Sequence, residues 1–385
     1  MSRRSNCLCH NGHVLFDPRG EGFEMADAIG APAPKDAAAA AKAAFAAVAG
    51  KPFPQDIFTA PELTWAVIGC GVIANQIAQS LALAGRKLHG IANRTRAKAE
   101  AFAREYGVEK VYDSVEDLYA DPQVDAIYIT APHNTHIAYL RAALAAGKHV
   151  LCEKAITLNS EELAEARALA VEHHVVLMDA TTVLHMPLYT ELMRRADTGE
   201  FGRMRLAQVN FGSWHSYDDA NSRFWNRGLA GGAMLDIGVY ALSVARLFME
   251  SQPQEVVSLA NCFTTGVDEE SGFVTRNAEG QLGVFSLTMH AKQPKRATLC
   301  FDDCYIEVMG YPRADRATIT WTADGRREEV EEGVEAYALC YEVADLEQAV
   351  AGDARALQLI DFAADVMDIM TRLRREWGVI YPEEE

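Results

Sequence analysis

The sequence predicts an α/β dinucleotide-binding domain, a doubly wound parallel sheet of the Rossmann type, followed by an α+β domain on a large, mainly antiparallel open sheet. Three observations carry this reading. Short apolar runs alternate with helical patterns from residue 63 to residue 179, a glycine-rich loop opens that stretch, and from residue 204 long alternating strands take over.

In chain order, residues 1–60 are expected to be an Ala-rich, partly disordered appendage around "KDAAAAAKAAFAAVAG", a helix former ending in glycine. Residues 61–181 form the dinucleotide-binding domain. Its strands are "LTWAVIG", "LHGIANR", "KVYD", "VDAIYIT", "KHVLCE" and "VVLMDA", and its helices 72–84, 96–106, 114–120, 136–146 and 160–173. Residues 182–385 form the substrate-binding and oligomerisation domain. There "MRLAQVNFGSW", "EVVSLANCF", "SGFVTRNA", "QLGVFSLTMHA", "RATLCFD" and "RATITWT" read as an antiparallel meander with a hairpin turn at Glu279-Gly280. The helical segment 231–249 is expected to cover one face of that sheet. The other face is solvated or buried against a second subunit, which predicts a homodimer or homotetramer. A helical stretch, 337–377, ends the chain.

The whole chain bounds the function. At 385 residues, 49% apolar and 23% charged, it has the balance of two ordinary globular domains. A formal net charge of -18 argues against a nucleic-acid or anionic-membrane partner. No apolar run reads as a membrane span and the N-terminus lacks the apolar core of a secretory signal, so the expected location is cytoplasmic. Eight scattered cysteines imply no disulfide framework, and Cys70, Cys152, Cys262 and Cys300 fall in apolar runs as buried free thiols would. Cys7, Cys9, His10 and His13 stand too close together for the usual structural zinc spacing, and no metal site is predicted.

"AVIGCGVIANQIAQSLALAG" places Gly69, Gly71 and Ala74 between the first strand and the first helix of the parallel sheet. Gly69 permits the tight turn, Gly71 lets a pyrophosphate approach the backbone, and Ala74 allows close helix-sheet packing. About two dozen residues on, the second strand ends in Asn93-Arg94-Thr95-Arg96, without the carboxylate that binds the ribose hydroxyls of NAD. Arg94 and Arg96 suit a 2'-phosphate, so NADP is preferred and NAD remains possible; the alternative is a solvated helix start.

The segment "ITAPHNTHIAYLRAALAAGKHVLCEK" carries Pro132-x-x-x-His136 and Glu153-Lys154, and "AGGAMLDIGVY" stands far downstream. With the glycine-rich loop, these motifs resemble the oxidoreductase family of glucose-fructose oxidoreductase, inositol dehydrogenase and the rhizopine enzymes (Gfo/Idh/MocA), from residue 63 to the chain end. The resemblance implies that Glu153 and Lys154 sit beside the nicotinamide, with the lysine reaching the substrate, although Ala155 stands where the family motif usually has proline. The cofactor-binding set becomes Gly69, Gly71, Val72, Ile73, Ala74, Asn93, Arg94, Arg96, Ala131, Pro132, His136, Glu153 and Lys154.

Asp236 and Tyr240, four residues apart, share one helix face in an otherwise apolar run. A carboxylate there requires a partner. Tyrosine at position 240 resembles the branch containing glucose-fructose oxidoreductase and dihydrodiol dehydrogenase, which points to a sugar, polyol or cyclic diol. Lys154, Asp236 and Tyr240 are the expected catalytic set, and His215 and Trp225 are added as substrate contacts. Tyr240 is read as the acid/base, its pKa brought from about 10 toward neutrality by Lys154, with Asp236 orienting the substrate or the lysine. Two other classes stay open: a redox-neutral enzyme that oxidises its substrate only transiently, and a nucleotide-binding sensor without chemistry.

Overall fold

The protein is described by a computed structural model that covers residues 37–218 and 222–385. One sheet is parallel: β1 (Trp65–Ile68), β2 (Gly90–Ala92), β3 (Lys110–Val111), β4 (Ala126–Ile129), β5 (His149–Cys152) and β6 (Leu177–Asp179), in the spatial order β3-β2-β1-β4-β5-β6. All side chains of β1, β2, β4 and β6 are buried, which is why these strands read as continuous apolar runs rather than as alternations. After the Ala-rich α1 (Ala37–Val48) come α2 (Val72–Leu83), α3 (Arg96–Tyr106), α4 (Val115–Tyr119), α5 (His136–Ala145) and α6 (Ser160–Glu172), within a residue or so of the predicted bounds. The strand order reverses between β1 and β4, and that switch point opens a crevice at the carboxyl ends of the strands.

The second sheet has eight strands: β7 (Met204–Gly212), β8 (Glu255–Cys262), β9 (Asp268–Arg276), β10 (Leu282–Thr288), β11 (Gln293–Phe301), β12 (Cys304–Met309), β13 (Arg316–Trp321) and β14 (Arg327–Glu331). It corrects the expected meander. In the order β14-β13-β12-β11-β7-β10-β9-β8, β7 is inserted between β11 and β10 and runs parallel to β10. Two of these strands were not predicted. β12 follows β11 after only Asp302 and Asp303, and in β14, "REEVE", Val330 alone is buried. The hairpin at Gly280 is present, with φ +81° and the Asn277 N–H donating to the Gln281 carbonyl at 3.2 Å.

Helical cover comes from a π-helical turn, Met234–Gly238, that runs into α8 (Val239–Arg246), which packs on β7 and β11. By length and composition Arg227–Arg246 could cross a membrane, which the sequence reading passed over. Its apolar window is 78% buried inside the fold, as a core helix would be. A further helix, α7 (Pro187–Asp197), was not predicted. The terminal helical stretch breaks at Gly352 (φ +95°) into α9 (Ala338–Val350) and α10 (Ala354–Glu376), with the Asp353 carboxylate capping the Ala356 N–H at 2.8 Å. α9 packs on α2 and β5, whereas α10 touches α6, α8 and β6, so the chain end clasps both halves. Of the expected buried thiols Cys152 is buried, Cys70 and Cys300 are half-buried, and Cys262, on edge strand β8, is exposed. Cys7, Cys9, His10 and His13 lie outside the described residues.

A buried polar knot fixes α9 to the first strand. Glu347, 1% exposed, accepts from the Trp65 indole at 3.0 Å and the Leu63 N–H at 3.1 Å, and both its oxygens meet the Arg86 guanidinium, at 2.5 and 3.1 Å. Removing one partner of a buried pair strands the other charge, so Glu347→Ala should destabilise by about 3 to 5 kcal/mol. Denaturant unfolding checks this, and an unshifted midpoint would show that the knot adds nothing.

Candidate active site

The crevice begins where β1 ends. Gly69 has φ +103°, and a Cβ there would lie 2.7 Å from the Thr130 hydroxyl oxygen, so only glycine fits this turn against the end of β4. Gly71 differs: a Cβ would meet nothing within 4 Å, and no side chain caps the N-terminus of α2 that it begins. Open backbone and uncapped N–H groups fit a dinucleotide pyrophosphate. Val72 is 51% exposed at this opening, Ile73 is half-buried, and Ala74 is buried against the sheet. The Asn75 amide donates to the Gly71 carbonyl at 2.7 Å and steadies the loop.

At the end of β2 the Asn93 amide donates to the Thr95 carbonyl at 3.0 Å. Arg94 is exposed and has no ion pair among the described residues. Arg96 departs from its expected role, because its guanidinium is engaged by Glu100 at 2.9 Å and by Asp113. Of the two arginines, Arg94 is the one free to meet a 2'-phosphate.

Past β4, Ala131 is half-buried and Pro132 exposed at the rim. His136 is fully buried, with its ring nitrogens 2.8 Å from the Ala131 carbonyl oxygen and 3.0 Å from that of Ala155. This corrects its placement as a cofactor contact. Burial holds the imidazole below its usual range, so the neutral ring donates to one of these two carbonyls. The peptide bond between Lys154 and Ala155 is cis.

Lys154 follows β5 and reaches across to the other half of the chain. Its ammonium donates to the Asp236 carbonyl at 2.6 Å and to the Asp236 carboxylate at 3.1 Å, and it lies 4.9 Å from the centre of the Tyr240 ring. Arg223 adds a second contact to the same carboxylate oxygen at 3.3 Å. Between residues 230 and 245 only Asp236 and Tyr240 keep partial exposure, so the shared face expected from their spacing survives the π-helical turn. The glycines of "AGGAMLDIGVY" make room for that turn. A Cβ on Gly232 (φ +118°) would lie 2.3 Å from an Asp268 carboxylate oxygen, and the other oxygen of Asp268 accepts from the Met234 N–H at 2.6 Å.

Electrostatics assign the charges. Burial works against the Asp236 carboxylate, yet Lys154 and then Arg223 hold it well below the usual range. Burial also works against the Lys154 ammonium, and Asp236, Tyr240 and Glu153 together outweigh it, so the lysine stays charged. Tyr240 behaves otherwise than the sequence led us to expect. Burial pushes its phenol above the ordinary tyrosine value, and the Lys154 charge opposes this without overcoming it. Glu153 turns away from the lysine: the Tyr128 hydroxyl lies 2.6 Å from its carboxylate and 2.9 Å from that of buried Glu342.

The remaining assignments divide. His215, half-buried, stacks on Phe224 at 3.5 Å and lies within electrostatic reach of Asp236. Trp225 does not face a pocket. It is fully buried, donates to the Ser216 carbonyl at 2.8 Å and packs on Phe263 at 4.7 Å, which corrects its role as a substrate contact. His133, beside Lys154 and Asp236, was missed; burial first, then the Lys154 charge, push it down to about 3. Arg223 was missed as well, since nothing in "NSRFWNRG" distinguishes it from a surface arginine. Among the described residues no cluster of three His, Cys, Asp or Glu could hold a metal.

Comparison with known proteins agrees with this geometry. Residues 63–181 match the oxidoreductase family with an NAD-binding Rossmann fold, and residues 189–311 match the GFO/IDH/MocA C-terminal domain. Trans-1,2-dihydrobenzene-1,2-diol dehydrogenase of Sus scrofa is 27% identical over 84% of this chain and 99% of its own length. The Mus musculus enzyme of that name is 31% identical over 61% and 71%. A 3-ketoreductase from Actinomadura kijaniata, solved in complex with NADP and TDP-benzene, has the same fold, with a TM-score of 0.71 at 22% identity over 82% of this chain and 98% of that one. With a glycine loop open at the switch point and Lys154, Asp236 and Tyr240 converging on it, the chain belongs to the Gfo/Idh/MocA family of NAD(P)-dependent oxidoreductases.

Proposed function

We propose that the protein is an NADP-dependent dehydrogenase acting on a secondary alcohol of a sugar, polyol or cyclic diol, with Tyr240 as the acid/base. The observation that carries this reading is the pair of largely but not fully buried side chains, Asp236 and Tyr240, set beside Lys154 at the carboxyl end of a parallel strand. The nicotinamide, when bound, supplies or accepts the hydride.

Around it the chain's own groups divide the work. In reduction Tyr240 gives its phenolic proton to the carbonyl oxygen as hydride reaches the carbon. In oxidation the phenolate takes the hydroxyl proton as hydride leaves. Lys154, fixed by Asp236, holds positive charge beside the oxygen that gains or loses the proton. His133, neutral, can accept or donate a hydrogen bond at the rim but adds no charge. NADP is preferred because Arg94 is unpaired and no carboxylate stands at the end of β2. The free thiols of the described residues suit a reducing, cytoplasmic location.

The assembly reading rests on the sheet face turned away from α8. There Val257, Leu259, Val274, Tyr305 and Met309 are 76%, 83%, 41%, 40% and 58% exposed, an apolar surface suited to a second copy.

Three measurements test these points. Tyr240→Phe should keep NADP affinity and lower turnover by about two or more orders of magnitude, the scale of a lost general acid/base. Because burial raises the phenol's pKa, oxidation should accelerate with pH into the alkaline range while reduction stays level through neutrality, and Lys154→Met should move both limbs upward. Full activity in Tyr240→Phe would assign the proton to another group, and product forming without NADPH would mark redox-neutral chemistry.

Titration of both cofactors should show tighter binding of NADP than of NAD, with Arg94→Ala losing about 1.5 to 3 kcal/mol of NADP binding. An unchanged preference in that variant would remove Arg94 from the site. Light scattering at micromolar concentration should give a dimer or tetramer, and Leu259→Asp should shift it toward monomer; a monomeric parent would discard the assembly reading.

A further inference from the structure

The wall of the crevice that belongs to the second sheet holds more positive charge than its partners neutralise. The Lys295 ammonium, from β11, lies 4.6 Å from the centre of the Phe211 ring, and that ring lies 6.2 Å from the ring of Tyr240. Arg313 ends the turn Tyr311–Arg313, whose Tyr311 ring packs edge-on against Phe211 at 5.9 Å, and it stands near enough to act on both Tyr240 and Lys295. Lys292 joins them from the start of the same strand region.

Acidic groups nearby do not balance this set. Asp236 is already shared by Lys154 and Arg223. Glu335 is in electrostatic range of Arg313 and Lys295 but forms no ion pair with either, and burial raises its pKa before Arg313 lowers it. Lys292, Lys295 and Arg313 are without ion pairs among the described residues. Although the Lys295 side chain keeps contact with solvent, desolvation, then repulsion from Lys292 and Arg313, hold it below the usual lysine range. A chain of net charge -18 thus keeps unpaired cations together, at a cost in mutual repulsion that a bound anion would relieve.

The cofactor's phosphates do not account for the cluster. They belong at Gly69, Gly71 and Arg94, on the parallel-sheet side of the crevice, whereas Lys295 and Arg313 come from the opposite wall beside Tyr240. Building on the dehydrogenase reading above, we propose that the substrate carries an oxyanion, a carboxylate or a phosphate, held by Lys295 and Arg313 at the Phe211 ring next to Tyr240. The Arg313 guanidinium offers a planar fork for two oxygens, Lys295 a point charge, and Phe211 an apolar floor for the carbon skeleton.

The test is isothermal titration of the full chain saturated with NADP, using two pairs of ligands that differ in one charged group: D-gluconate against D-sorbitol, and D-glucose 6-phosphate against D-glucose. In at least one pair the anion should bind about tenfold tighter or more, the pair that responds naming the carboxylate or the phosphate, and added salt should narrow the gap. In Lys295→Met/Arg313→Met the ratio within that pair should fall to about one, with the circular dichroism of the parent retained. Equal affinities within both pairs, no binding by either anion, or a ratio unmoved in the double variant would overturn the proposal. Heat of binding does not depend on turnover. A retained anion preference without NADPH formation would therefore overturn the dehydrogenase reading alone, and NADPH formation from the neutral ligands without an anion preference would overturn the oxyanion site alone.

Discussion

The Lys154–Asp236 pair is the constraint on which the site depends. It joins the end of β5 to the π-helical turn before α8, across 82 residues of sequence, with both side chains largely removed from water. A buried pair is worth little as a source of stability unless its geometry and extra hydrogen bonds repay the desolvation. Here the ammonium also meets the Asp236 carbonyl, and Arg223 meets the carboxylate. What the arrangement supplies is position. It sets the lysine's charge over the Tyr240 ring and closes the crevice at the switch point of the parallel sheet.

Behind that pair lies a second acidic system that must not compete with it. Glu153 is the immediate neighbour of Lys154, and a charged carboxylate there could draw the ammonium away from Asp236. The Tyr128 hydroxyl stands between half-buried Glu153 and buried Glu342 with one hydrogen for two acceptors. Burial raises Glu153, and burial followed by the Glu153 charge raises Glu342 to about 7. With Glu342 partly protonated near neutrality, less negative charge stands behind the lysine, whose ammonium pairs with Asp236.

Much of this was legible in the sequence. The parallel sheet was readable because its helices are amphipathic and its buried strands are continuous apolar runs, both local signals. Gly69 and Gly71 were singled out by their place between strand and helix, Asp236 and Tyr240 by their polarity in an apolar run, and Lys154 by the family resemblance. What escaped was tertiary. The insertion of β7 beside β10 is a long-range pairing, and β14 presents one buried side chain in five. Trp225 carries the polar handle of a site residue, but its burial is decided by Tyr217, Phe263 and the Ser216 carbonyl. Arg96 was assigned by its position after β2, and Asp113, distant in sequence, claims it. For Tyr240 the neighbouring lysine was foreseen but not the desolvation, which depends on everything packed around the ring.

Net charge and local charge do different work in this chain. The value of -18 describes an acidic chain as a whole. The crevice inverts the sign. Arg94 stands at one end, Lys154 in the middle, and Lys295 with Arg313 on the opposite wall, contributed by β2, β5, β11 and the turn after β12. No stretch of sequence displays this pattern, because no two of these positions are close in the chain. Low-dielectric walls concentrate the field of such a row of cations, while the acidic exterior limits adventitious anion binding elsewhere on the surface. The fold thus makes the crevice the one place described here where positive charge from both halves of the chain converges.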